Sequence, residues 1–148
     1  MSNSEVPAEP VVVELALRWG DMDALGHVNN VQIARLFEEA RVRAMRVWFG
    51  EASPDGILML LARQEIEFTS MLHYSPEPVR GEVWVSRIGG RSCDFASRLL
   101  DPHGGVAALC ETTLVVVDAV SGGSRDIPEG LRRVLETQRR EPVAFRRR

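Results

Sequence analysis

The sequence predicts an α+β fold in which an antiparallel sheet of about five strands buries one long helix. Three observations carry this reading: one stretch has helical apolar spacing, strand-like runs lie before and after it, and most of the later runs are joined by short turns. A chain of 148 residues with 45 % apolar and 26 % charged side chains has the size and balance of one soluble globular domain. We place a disordered N-terminal segment at residues 1–10, the domain at 11–138 and a C-terminal tail at 139–148.

Residues 11–19 alternate Val13, Leu15, Leu17 and Trp19 with Val12, Glu14, Ala16 and Arg18, the pattern of a half-buried strand. Residues 20–30, with two glycines, two aspartates and paired asparagines, have the composition of a loop that ends at a helix cap. From 31 to about 48, Ile33, Leu36, Phe37, Ala40, Ala44, Val47 and Trp48 recur at three- and four-residue steps, which predicts a helix with one buried face. Gly50 and the stretch 52–56 stop it. Strand-like runs follow at 57–69, 79–88, 92–100 and 106–119, and the last three read as a meander. After Ile127-Pro128, Leu131, Val134 and Leu135 predict a short amphipathic helix near 129–138, and the arginine run 146–148 reads as a solvated end.

The formal charge of -3, from 18 basic and 21 acidic groups, gives no field that would gather nucleic acid. Cys93 and Cys110 form no CxxC and have no paired histidine, so they read as buried free thiols rather than as a zinc site or disulfide framework. The N-terminus lacks a cationic start followed by an apolar run, and no segment approaches bilayer-spanning length, so no membrane insertion and a cytoplasmic location are expected.

The chemistry gathers in residues 18–30, RWGDMDALGHVNN, where two carboxylates, an imidazole and two amides precede a helix. A helix N-terminus presents free backbone N–H groups and the positive end of the dipole, which stabilise an anion developing on a substrate carbonyl. Acyl transfer is the chemistry this suits. Taken singly, each residue also has an ordinary structural role: Asn29 or Asn30 as a cap, Asp21 or Asp23 as an acceptor for loop amides, His27 as a surface group.

RWGDMDALGHVNN followed by the helical FEEAR resembles the 4-hydroxybenzoyl-CoA and long-chain acyl-CoA thioesterase branch of the hot-dog superfamily, and HVNN is the most specific element of the match. The resemblance implies a hot-dog fold and hydrolysis of an acyl-CoA to free acid and coenzyme A. In its D-x-x-G-H-V-N-N pattern the catalytic carboxylate falls on Asp23, not Asp21, and acts as nucleophile or as general base. The carbonyl-polarising backbone N–H falls seven residues on, at Asn30. His27 takes the histidine position as an orienting or proton-transfer group, and the neighbouring Asn29 is a candidate for substrate contact. Related plant acyl-carrier-protein thioesterases carry an asparagine two residues after the aspartate, and here that position is Leu25, which argues against a full Asp-Asn-His arrangement. Glu39 matches a helix glutamate of the same relatives, yet helical spacing turns both it and Glu38 away from the buried stripe.

No metal and no organic cofactor is expected. The turn at residues 87–92 (RIGGRS), with Arg87, Gly90, Arg91 and Ser92, is a candidate contact for the phosphates of coenzyme A, set against an ordinary hairpin with solvated arginines. The competing activities are an enoyl-thioester hydratase or dehydratase, whose usual pattern has proline where Gly26 stands, and a non-catalytic acyl-thioester binding module. An exposed edge strand and half a cleft predict a homodimer or homotetramer.

Overall fold

The computed structural model describes residues 9–50 and 56–146. The proposed N-terminal segment therefore lies almost wholly outside the described residues, as does most of the stretch 52–56. The first strand, β1, is Val11–Leu15, shorter than the run expected to reach Trp19. It ends early because Asp21 captures Arg18: the Arg18 backbone N–H donates to Asp21 Oδ2 at 2.8 Å and winds Trp19–Asp21 into a single 3-10 turn.

Helix α1 spans Asn30–Phe49. The Asn29 side chain caps it by accepting from the Val31 N–H at 2.9 Å, and Gly50, at φ 77°, ends it in a backbone region that side chains disfavour. Ile33, Leu36, Phe37, Ala40 and Ala44 form its buried face. Val47 faces outward instead, while Trp48 packs edge-on against Phe95 with ring centroids 5.2 Å apart.

The remaining elements are β2 (Ile57–Phe68), β3 (Val79–Ile88), β4 (Ser92–Leu100), β5 (Val106–Asp118) and α2 (Glu129–Thr137). They form one five-stranded antiparallel sheet in the order β1-β3-β4-β5-β2. The meander is real, and β1 and β2 are the two edges. Helix α1 lies across β1, β3 and β4, and Gly81 on β3 admits it: a Cβ there would sit 2.9 Å from the Ala40 Cβ. Cys93 and Cys110 are free and buried in this core, and burial pushes both thiols up to about 12, which leaves them poor nucleophiles.

The chain after α2 departs from expectation. Residues 139–146, read as a solvated tail, lie as a strap along β3 and over the outer face of the sheet. β1 is so short that it covers β3 only as far as Val83. Val85 therefore has a free N–H and C=O, which pair with the Gln138 carbonyl (3.0 Å) and the Arg140 N–H (2.8 Å). Further along, the Trp84 indole N–H donates to the Glu141 carbonyl, the Val143 N–H to Glu111 and the Arg146 N–H to Glu67 on β2. Among the described residues, no helix is long and apolar enough to cross a membrane.

Candidate active site

The loop from Leu15 to α1 is built on Asp21. Its side chain is fully buried, its Oδ1 receives Arg18 Nε and Nη2 at 3.1 and 3.0 Å, and its Oδ2 receives Arg35 Nη2 at 3.0 Å. Its carbonyl accepts from the Asn29 N–H, which ties the loop to the helix cap. Burial alone would raise the Asp21 pKa, but the hydrogen bonds from Arg18 and the charge of Arg35 outweigh it and hold the carboxyl below its usual range. A carboxylate so fully engaged is a structural anchor.

Asp23 is placed differently. The chain turns back at Gly26, φ 83°, so that the Asp23 N–H donates to the His27 carbonyl at 2.9 Å and Met22 bridges Val28. Asp23 Oδ1 accepts the Leu25 N–H at 2.8 Å, and Oδ2 lies 3.2 Å from His27 Nδ1. Both side chains remain 22 % exposed, so a substrate can reach the pair. The arrangement juxtaposes a solvent-accessible carboxylate with an imidazole at proton-transfer distance.

Immediately after this turn, the first turn of α1 has one spare donor. The Val31 N–H is taken by the Asn29 side chain, and those of Gln32 and Ile33 by the Asn29 carbonyl. The Asn30 N–H has no acceptor among the described residues. Asn29 is thus committed to capping, while the backbone of Asn30 is available to a ligand. Glu38 and Glu39 are both exposed, as their helical spacing indicates.

Sequence reasoning missed His73. The connection between β2 and β3 packs against the loop, with the Val28 N–H donating to the Leu72 carbonyl at 2.7 Å and His27 bridging His73. Its only signal is Leu72, a lone apolar residue in a turn-rich segment, buried in the structure. Around the same loop four apolar side chains stand out in solvent, from Met71 at 69 % exposed through Val31 and Trp19 to Leu25 at 81 %.

The turn at 87–92 is not brought to this loop. β3 begins at Val79, paired with Leu15 where the loop departs, and after 10 residues reaches the turn at the far end of the sheet. At roughly 3.3 Å per residue this is roughly 30 Å. Arg87 holds Asp94 in a two-pronged pair (2.9 and 3.0 Å) and also donates to the Ser92 hydroxyl, Arg91 pairs with Asp126 at 2.8 Å, and the Gly90 carbonyl accepts from the Ile127 N–H. The hydrogen bond to Asp94 raises the Arg87 pKa against the opposing effect of burial. These groups knit the hairpin to its neighbours.

A long helix clasped by a curled antiparallel sheet, with a polar loop at the helix N-terminus, is the hot-dog fold. The chain belongs to the thioesterase-like superfamily, whose family profile matches residues 17–135. A thioesterase superfamily protein from Jannaschia sp. CCS1 superposes with a TM-score of 0.83 at 20 % identity, covering 93 % of this chain and 96 % of that one. A thioesterase from Thermus thermophilus, solved with coenzyme A and zinc, gives 0.74 at 25 % identity over 88 % and 95 %. The DHNA-CoA thioesterase of Staphylococcus aureus gives 0.72 at 18 % identity over 85 % and 86 %. No curated protein sequence matches the chain.

Proposed function

We propose that this protein hydrolyses an acyl-CoA thioester to the free acid and coenzyme A, in the manner of the 4-hydroxybenzoyl-CoA and long-chain acyl-CoA thioesterases. The observation that carries this reading is the accessible Asp23–His27 pair at 3.2 Å, followed directly by a helix whose Asn30 N–H has no partner among the described residues. Asp23 supplies the nucleophile or general base, His27 orients it or moves the proton, and the Asn30 N–H polarises the thioester carbonyl. The coenzyme A in the Thermus thermophilus relative supports the choice of carrier. Thiol release across acyl-CoAs of varied chain length and aromatic character tests the reading. Loss of enoyl conjugation without free thiol would replace it with the hydratase, and binding without turnover would replace it with the non-catalytic module.

The working unit in this proposal is at least a homodimer. Strand β2 is an unpaired edge in which Leu58, Leu60 and Leu61 stand nearly half exposed, and the apolar side chains around Asp23 have no cover among the described residues. A second copy pairing along β2 covers both. Light scattering is expected to give twice the 16.5 kDa chain mass or a higher multiple. A fully active monomer at micromolar concentration would refute this.

A further inference from the structure

The outer face of the sheet, opposite α1, holds a cavity of about 1040 Å³ between the strap and strands β2 to β5, outside the loop already described. Its lining includes Arg98, Arg139, Arg140 and Arg146 against two carboxylates, Glu67 and Glu141. Such an excess of guanidinium stands out in a chain whose formal charge is -3. The Arg98 Nε is buried without a hydrogen-bond partner, although its Nη2 holds Glu82 at 2.9 Å and its guanidinium lies 5.1 Å above the Trp84 ring. Leaving a charged N–H buried and unmet is costly, which favours a ligand acceptor at that point. Val106, Leu109 and Val143 add an apolar wall.

We propose that this cavity binds the phosphorylated end of a nucleotide, with the arginines on the phosphates and the apolar wall against the base. Several guanidinium forks around one space suit an anion of more than one charge, and phosphate accepts them two-pronged. The volume matches small-molecule sites and far exceeds a lone inorganic ion. The cavity also lies at the active end of the sheet. Arg80 pairs with Leu100, Leu100 with Val106, and Phe68 with Ala108, in the same end as Leu15 and Val79. From Thr69 on its rim, four residues lead to His73, which bridges His27, a span of at most roughly 14 Å. The nucleotide is therefore either that of coenzyme A, its pantetheine arm reaching Asp23, or a free one. The first alternative deepens the proposed thioesterase function and rests on it. The site itself does not.

Calorimetric titration with adenosine 3′,5′-bisphosphate, which needs no turnover, tests the site. One nucleotide per chain is expected, with affinity falling as salt rises. Arg139→Ala combined with Arg146→Ala should weaken binding at least tenfold without moving the unfolding midpoint, because the strap is fastened by backbone N–H and C=O groups that the substitutions keep. Replacing both by lysine should restore part of the affinity. Kinetics then assign the source. If the nucleotide is that of coenzyme A, the bisphosphate competes with acyl-CoA, and the double variant raises KM for acyl-CoA while sparing an acyl-pantetheine. If it is free, the bisphosphate binds equally well without competing. Absence of binding at millimolar concentration, or equal binding by the double alanine variant, overturns the proposal. Failure of acyl-pantetheine turnover would instead count against the thioesterase reading.

Discussion

Asp23→Asn is expected to lower kcat at least about a hundredfold while leaving the unfolding midpoint close to that of the parent. The amide keeps the size of the side chain and can still accept from the Leu25 N–H, so the turn closed by Gly26 survives. What it loses is the negative charge that attacks the carbonyl or takes a proton from water. Asp21→Asn, two residues away, should change kcat far less, because the Asp21 oxygens are already taken by Arg18 and Arg35. Steady-state thiol release by both variants, beside thermal unfolding of each, makes the comparison. Equal and small effects on kcat would show that the active carboxylate is not Asp23.

Asp21→Asn should instead weaken the fold, by about 3 kcal/mol, near the lower end for breaking a buried ion pair, because Arg18 and Arg35 can turn partly to solvent. For a domain of this size that lowers Tm by about 10 °C. The effect has a defined pH dependence. The folded-state pKa of Asp21 is held below its unfolded value of roughly 3.9, so its contribution is fully present above that value and is lost as pH falls towards the folded one. Unfolding curves of parent and variant should therefore differ most at neutral pH and converge below about pH 4. A constant gap across that range would mean that the charge of Asp21 is not what stabilises the loop.

Residues 79–88 and 92–100 show their strand boundaries in the sequence because glycines and prolines punctuate them and alternation is regular between. Alternation makes the first strand four residues too long, since the pattern Leu15, Leu17, Trp19 continues after the backbone has turned. What ends it is a side-chain contact, Asp21 with Arg18, that alternation does not encode. The strap is illegible for a related reason. Its hold on the sheet comes from backbone groups of Val85, left over because β1 is short, and from Glu111 and Glu67, none of which marks residues 139–146 themselves. Within the site, the motif singles out Asp23 and His27, and the structure brings them together. Arg87 and Arg91 look free in the sequence only because their partners, Asp94 and Asp126, are reached through the fold. His73 escapes notice because pairing between two irregular loops leaves no periodic trace.

The strand order also sets a timetable for folding. β3, β4 and β5 are neighbours both along the chain and in the sheet, so they pair by closing short turns. β1 must reach β3 around all of α1 and β2, and β2 must reach β5 around the β3–β4 hairpin, and such long closures are slow. The meander therefore forms ahead of both edges, and the leucine-rich run of β2 spends the longest time unplaced. During that interval the β5 edge of one nascent chain is open to the β2 of another, so crowded synthesis favours exchange of this strand between copies.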